Sequence, residues 1–366
     1  MDIINLKDNP KLYYVGGFVR DELLGRESLD VDIVYEGNAI EDCTALGEVV
    51  RVNPDFGTIR VKIQGREVDI ASTRTERYDH KGHLPQVEKI GCSLKEDVLR
   101  RDFTVNSLYK SVITGEIWDF TGGLEDLKNK KLRVLHDKSF VDDPTRIIRA
   151  LKFSHRFGFE LEENTFRLQR EYLKNINYDM CYKRIKKELI ETLGLNSDEV
   201  FQKFINEKIY KLVTPKDVKL PSVKIEPLVN KYAKNSENIW LIYLGSLRDL
   251  SRLELTRKEQ KILDDFSELE GFEFRNDFEI YRAFEDKEIE SVILYAVLKN
   301  EKIARHYLDD LREIKIQITG KDLENIGFEP SPKYKEIFDF VLTQKLENPK
   351  MTLADEINLV KENFFS

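Results

Sequence analysis

The run Gly16-Gly17-Phe18-Val19-Arg20-Asp21, followed by Asp30-Val31-Asp32, gathers the residues best suited to chemistry in this chain. Tyr14 and Val15 before it, and Ile33 and Val34 after it, are apolar and strand-like. Side chains two apart on a strand point the same way, so Asp30 and Asp32 share a face. Adjacent carboxylates repel each other, and a protein core has no use for that arrangement. A hard divalent cation, Mg²⁺ above all, relieves the repulsion and takes oxygen ligands. Beside a triphosphate, such a cation neutralises charge and aligns an attacking hydroxyl. Phosphates also need backbone N–H donors and close approach, which Gly16-Gly17 ahead of a helix start can supply. The expected chemistry is transfer of a nucleotide.

A second string, Arg100-Arg101-Asp102-Phe103-Thr104-Val105-Asn106-Ser107-Leu108, suits the same task. Guanidinium groups offer forked donors to phosphate oxygens. Asp102 can hold an arginine or ribose hydroxyls, and Asn106 can donate and accept in the same pocket. With YYVGGFVRDELLGRESLDVDIV, this string resembles the first two motifs of the class II tRNA nucleotidyltransferases. These are the bacterial CCA-adding enzymes and their poly(A) polymerase relatives, within the superfamily of DNA polymerase β. Ser107 stands where the family pattern usually has Ala.

A third segment, Asp142-Asp143-Pro144-Thr145-Arg146-Ile147-Ile148-Arg149, is similar to the family's E-D-x-x-R motif, with Asp142 in place of Glu. In that family the motif opens the neck helix and reads the incoming base. Asp143 is an acceptor and Arg146 a multiple donor one turn later. The carboxylate suits N4–H₂ of cytosine or N6–H₂ of adenine, and the guanidinium suits the ring acceptors beside them. Uracil and guanine present an N–H where Arg146 needs an acceptor. Asp143 before Pro144 is also a good helix cap. The resemblance implies that Asp30 and Asp32 are catalytic and metal-binding. It implies nucleotide binding by Gly16, Gly17, Arg20, Arg100, Arg101, Asp102, Asn106, Asp143, Arg146 and Arg149.

The resemblance is close over 12–195, and the stretch TGKDLENIGFEPSPKYKEIFDFVLTQKLENPKM resembles the family's helical tail. Asp69 is a candidate third carboxylate on a strand, and 74–88 reads as a polar loop. The family has at that place a flexible loop needed for adding the terminal A, and its full length here argues against a CC-only enzyme. Arg184 occupies the place of a fifth-motif arginine, with Lys183 where Glu is usual. LRVLHDKSFVDDPTR resembles the lineage that contains A-adding enzymes.

These residues need elements to hold them. Strand-like runs at 12–15, 31–34, 49–52, 58–63, 67–71 and 117–120, punctuated by glycines, make 1–120 mixed α/β. From about 124 onward the pattern is helical. The expected fold is α+β: a polymerase β-like nucleotidyltransferase head with a mixed sheet, followed by an all-helical neck, body and tail. The expected divisions are a head over 1–136, a base-recognition neck over 137–200, a body over 201–275 and a tRNA-binding tail over 276–366.

Net charge is −8 over 366 residues, which at first argues against nucleic acid. Yet from Lys128 to Arg156 nine Lys and Arg stand against three Asp, and Lys183, Arg184, Lys186 and Lys187 follow. Two basic clusters behind a nucleotide site favour an RNA-facing surface. The resemblance implies Mg²⁺ as cofactor, CTP and ATP as substrates, and the tRNA acceptor stem and 3′ end as partner. If only the terminal A is added, a separate CC-adding enzyme is implied. A poly(A) polymerase and a catalytically silent RNA-binding protein are the alternatives. Three dispersed cysteines make neither a metal spacing nor a disulfide framework. No apolar run has membrane-spanning length and MDIINLKDNP is polar, so the expectation is a cytoplasmic protein without a membrane partner.

Overall fold

The computed structural model describes residues 9–27 and 31–364. Its first compact unit takes in 1–192 and 202–217. The sheet strands there are β1 (Leu12–Val15), β2 (Ile33–Tyr35), β3 (Glu48–Asn53), β4 (Thr58–Ile63), β5 (Arg66–Ser72), β8 (Leu108–Ser111) and β9 (Ile117–Asp119). They form one mixed sheet in the order β3-β4-β5-β2-β1-β8-β9. Only β2 and β5 pair in parallel, with Ile33 opposite Ile70. Period-two alternation sets the layers: on β4, Ile59, Val61 and Ile63 are buried while Thr58, Arg60 and Lys62 face outward. Leu12, Val19, Ile33, Ile59, Val61, Val68, Ile70 and Leu108 pack into one cluster. Each such fully buried aliphatic side chain contributes about 1.5–3 kcal/mol.

Two further strands, β6 (Arg74–Arg77) and β7 (Gln86–Ile90), pair antiparallel with each other. The 74–88 segment, expected as a polar loop, is thus a two-stranded ribbon whose connection carries Tyr78, Leu84 and Pro85. Its strands alternate charged and less polar residues with little hydrophobicity, which hides them from a search for apolar runs. Strand β8 lies at the end of the second motif and escapes the same search.

The helices are α1 (Gly17–Leu23), α2 (Ala39–Asp42), α3 (Leu94–Asp97), α4 (Gly123–Lys128), α5 (Ser139–Asp142), α6 (Thr145–Phe157), α7 (Glu163–Lys174) and α8 (Tyr182–Leu193). Helix α6 buries Ile147, Ile148, Ala150, Leu151 and Phe157 and ends at Gly158, whose φ of 69° suits a glycine stop. The helical stretch is interrupted by a short parallel pair, β10 (Lys131–Leu132) with β11 (Glu160–Leu161).

The second unit, 193–201 with 218–366, is helical. Its core includes fully buried Trp240, Tyr243, Phe284 and Tyr295, the last two edge-to-face at 5.2 Å. Near the chain end, buried Glu356 accepts from Lys345 and from the backbone N–H groups of Gln317 and Ile318 at 2.8 Å each. No described helix is long and apolar enough to cross a membrane.

Candidate active site

The site is built where β1 turns into α1. Gly16 has φ 69°, a conformation that favours glycine. A Cβ placed there would lie 3.5 Å from Asp32 Oδ2, so backbone and carboxylate are already in contact distance. Asp32 precedes β2 and is exposed. Asp30, its expected partner, lies outside the described residues. Arg20, one turn into α1, is buried beneath this point. Its guanidinium donates to Asp21 at 2.7 and 2.9 Å and to Asn106 Oδ1 at 2.6 Å, and lies over the Phe157 ring. Burial lowers its pKa below the ordinary arginine value.

Arg100 and Arg101 follow α3, which opens with a Ser93–Glu96 capping box. Both reach back to Asp97, at 2.9 Å each. Asp97 is fully buried and also accepts from the Tyr109 hydroxyl at 2.8 Å and the Arg74 N–H at 3.0 Å. Burial alone would raise its pKa, but the Arg101 and Arg100 guanidiniums hold it well below the carboxylate range. Asp97 is not among the residues expected from sequence. Its signal is nonetheless present: it stands three and four positions before the two arginines, the spacing of one helix face.

Asp102 links this arm to α6. Its Oδ2 accepts from Arg149 Nε at 2.9 Å and Nη2 at 2.7 Å, and its Oδ1 from Asn106 Nδ2 at 3.0 Å. Burial raises its pKa, and Arg149 together with Asn106 outweighs that, leaving it lowered. Arg149 continues to Glu188 at 3.2 Å, and Glu188 to Lys152 at 2.8 Å. A continuous polar chain therefore runs Asp21–Arg20–Asn106–Asp102–Arg149–Glu188–Lys152 and ties α1, the second motif, α6 and α8 together. Networks of this kind rigidify a site when every member is satisfied.

Asp143 and Arg146 stand at the start of α6, both nearly buried. Asp143 Oδ1 accepts from the Thr145 N–H at 3.1 Å and its hydroxyl at 2.5 Å, a local turn contact; the N-cap itself is Pro144, one residue later than the cap expected from sequence. Its Oδ2 accepts from Arg184 Nη2 at 2.5 Å. Arg146 donates to Ser139 Oγ and to the Arg100 carbonyl, the latter at 2.8 Å. Of its five N–H donors, three remain for another partner. Arg184 also donates to the His83 carbonyl at 3.1 Å, so the ribbon's connection and the base of α6 share one side chain.

Eleven of the twelve residues expected from sequence line a single cavity of about 540 Å³: Gly16, Gly17, Arg20, Asp32, Arg100, Arg101, Asp102, Asn106, Asp143, Arg146 and Arg149. Residues not expected there are Arg74, Glu76, Tyr78, Leu84 and Pro85 from the ribbon, with Phe56, Phe153 and Glu188. Seven arginines against five carboxylates make its wall cationic in an acidic chain. That volume is within the usual range for a small-molecule site. The first basic cluster divides: Arg149 and Lys152 bond within the network, Arg146 with Ser139 and the Arg100 carbonyl, Lys131 with Glu160 and Arg133 with Asp126, while Lys128, Lys130, Lys138 and Arg156 are exposed.

For a metal, the described donor set at this point is sparse: no described group of three His, Cys, Asp or Glu could hold an ion by itself. Mg²⁺ binds through one or two carboxylates plus substrate phosphates rather than in a closed protein cage, and Asp32 is the expected metal-binding carboxylate among the described residues.

Residues 12–133 match the Poly A polymerase head domain family. The chain is 32% identical over 397 residues to the A-adding tRNA nucleotidyltransferase of Geobacter sulfurreducens, taking in 95% of this chain and 44% of that protein. It is 27% identical over 382 residues to the A-adding tRNA nucleotidyltransferase of Halalkalibacterium halodurans, with 96% and 88% covered. The solved structure of the Thermotoga maritima CCA-adding enzyme complexed with tRNA is similar at a TM-score of 0.72 and 27% identity, covering 96% of this chain and 90% of that one. The chain thus spans under half the length of the Geobacter relative.

Proposed function

We propose that this chain, which belongs to the class II tRNA nucleotidyltransferase and poly(A) polymerase family, adds CCA or its terminal A to the 3′ end of tRNA without a template. The observation that carries the reading is the convergence of eleven motif residues from four separate segments on one cationic cavity. CTP and ATP are the substrates this cavity suits. Gly16, Gly17, Arg100 and Arg101 hold the triphosphate, and Asp97 keeps both guanidiniums aimed. Asp143 and Arg146 read the base: the carboxylate accepts from the exocyclic amine, and the three remaining guanidinium donors meet the ring acceptors of C or A.

Asp32, together with Asp30, would hold Mg²⁺, which when bound would neutralise phosphate charge and lower the pKa of the attacking hydroxyl. The Asp32 carboxylate orients the tRNA 3′-hydroxyl for in-line attack on the α-phosphate. The new bond joins O3′ to the α-phosphorus as the bond from that phosphorus to the α–β bridging oxygen breaks; the hydroxyl proton passes to solvent, and pyrophosphate leaves with its charge met by Arg100 and Arg101. The tRNA and triphosphate pools put this activity in the cytoplasm.

The test uses purified protein, Mg²⁺ and tRNA transcripts ending at the discriminator base, at C and at CC, each with CTP, ATP or both. Completion of all three to CCA identifies a full CCA-adding enzyme. Extension of the CC-ending transcript alone, by one A, identifies an A-adding enzyme that needs a CC-adding partner; relatives bearing that name support this second reading. Long A tails mean a poly(A) polymerase, and no extension refutes the proposal.

A further inference from the structure

Asp32 stands in the wall of two cavities. Besides the one already described, a second cavity of about 520 Å³ opens on the outer face of β3, β4 and β5, and shares Asp32, Arg74, Arg100 and Arg101 with the first. Its own lining includes Arg51, Asn53, Thr58, Arg60 and Asp69. Strand register explains how these side chains come together. Arg51 is the cross-strand neighbour of Arg60, and Arg60 of Asp69. Asp69 and Asp32 immediately precede the parallel pair Ile70 and Ile33. A charged row therefore crosses four strands, over about 14 Å from Arg51 to Asp32.

Two features of the row bear on its use. Like charges directly opposite on neighbouring strands are destabilising, yet Arg51 and Arg60 are such a pair. Asp69 holds Arg60 at 2.7 and 2.8 Å, whereas Arg51 is exposed and has no ion pair or side-chain hydrogen bond among the described residues. Furthermore, the β3–β4 register slips by one between Val49 and Arg51. Without that bulge Arg51 would oppose Ile59, on the opposite face of the strand from Arg60. The bulge turns it outward beside Arg60, the kind of re-aiming that bulges perform near active sites.

A nucleotidyl transfer brings two substrates to one carboxylate from different directions. With the triphosphate in the first cavity, the nucleophile has to arrive by another route. We propose that the second cavity receives the 3′-terminal nucleotides of the acceptor RNA, with Arg51 and Arg60 on their phosphates and Asn53 and Thr58 within reach of ribose hydroxyls. This rests on the tRNA-extending function proposed above. Arg60 reaches the strand by exchanging its Asp69 contact for phosphate oxygens, and Arg51 needs no exchange. Single-stranded RNA bound in this way is held by charge and ribose contacts, without reading of sequence.

The experiment measures initial rates of A addition to a CC-ending tRNA transcript, varying transcript at saturating ATP and ATP at saturating transcript. Arg51→Gln and Arg60→Gln are each expected to raise the transcript KM about tenfold, with the ATP KM unchanged. The slope of log KM against log salt is expected to fall by about 0.7 for each variant, because one phosphate of the single strand is no longer neutralised. Lys62→Gln, on the same face of β4 but outside the cavity, controls for a general reduction of positive charge and is expected to leave the transcript KM at its wild-type value. A transcript KM unmoved in both arginine variants overturns the proposal. So does an ATP KM that rises in parallel, or a Lys62 effect as large as that of Arg60. If the wild-type protein extends no transcript, the function fails first; if it extends normally and only the variants disagree, the acceptor cavity alone fails.

Discussion

The two sides of Asp32 are built on opposite principles. In the first cavity the charged side chains are mostly buried and already bonded to one another: Asp97 with Arg100 and Arg101, Asp102 with Arg149, Asp143 with Arg184. On the sheet face, Arg60 and Asp69 are solvent-exposed and Arg51 has no partner among the described residues. Buried pairs hold a fixed geometry, because releasing one partner strands a charge in low dielectric. Exposed pairs are worth little and are easily exchanged. The contrast suits one rigid pocket for a small substrate and one adaptable track for a chain end that grows by a nucleotide at each step.

The largest effect is expected at the shared wall. Asp32→Ala should lower kcat for nucleotide addition by roughly 10³-fold or more, with tRNA retention on a filter unchanged. A variant that still turns over would remove the premise of both cavities. Next comes the buried anchor. Asp97→Ala leaves two guanidiniums without their carboxylate and is expected to cost about 3 kcal/mol, lowering Tm by about 5–10 °C in a thermal melt.

A smaller effect separates burial from pairing at Asp102. Its pKa is depressed in the folded protein, so the unfolded chain binds the proton more tightly. The stability this gives is complete above the unfolded carboxylate pKa of about 3.9 and is lost as pH falls through the folded value. Arg149→Met removes the main charge that offsets burial and leaves the Asn106 hydrogen bond in place, and the acid limb of the stability curve is expected to move to higher pH, read by urea titrations between pH 3 and about 6. An unmoved limb would mean that Arg149 does not hold Asp102. The smallest effect belongs to the open side: Arg51→Gln is expected to leave the unfolding free energy within about 0.5 kcal/mol of wild type, whatever it does to acceptor KM.

The first cavity is largely legible in the sequence because its residues lie in short strings whose spacing carries the chemistry. Gly16-Gly17 sits at a strand-to-helix turn, and Arg100, Arg101, Asp102 and Asn106 fall within seven positions. Asp97 escapes notice although it belongs to the same helical stretch, because a fully buried carboxylate looks like any surface Asp until its partners are seen. The 74–88 ribbon reads as a loop because weakly apolar strands give no period-two signal. The basic cluster from Lys128 to Arg156 reads as one surface in sequence. The fold turns Arg146, Arg149 and Lys152 inward onto partners 36 to 47 positions away in sequence, or onto neighbours within the neck.

Neighbours along the chain fix the local geometry, and the motif spacings point to the proposed reaction class. Glycine at a positive φ, alternating β4, the Asp143 turn ahead of α6 and the motif spacings all act through neighbours a few bonds apart, where covalent geometry and hydrogen bonding leave few options. Tertiary structure decided which charges meet. The Asp102–Arg149 bond, the Arg184 contact that joins Asp143 to His83, and the bulge that turns Arg51 toward Arg60 depend on strand register and helix packing. Register slips by whole residues and reverses the face of a side chain at each step, so no count along the chain foretells it.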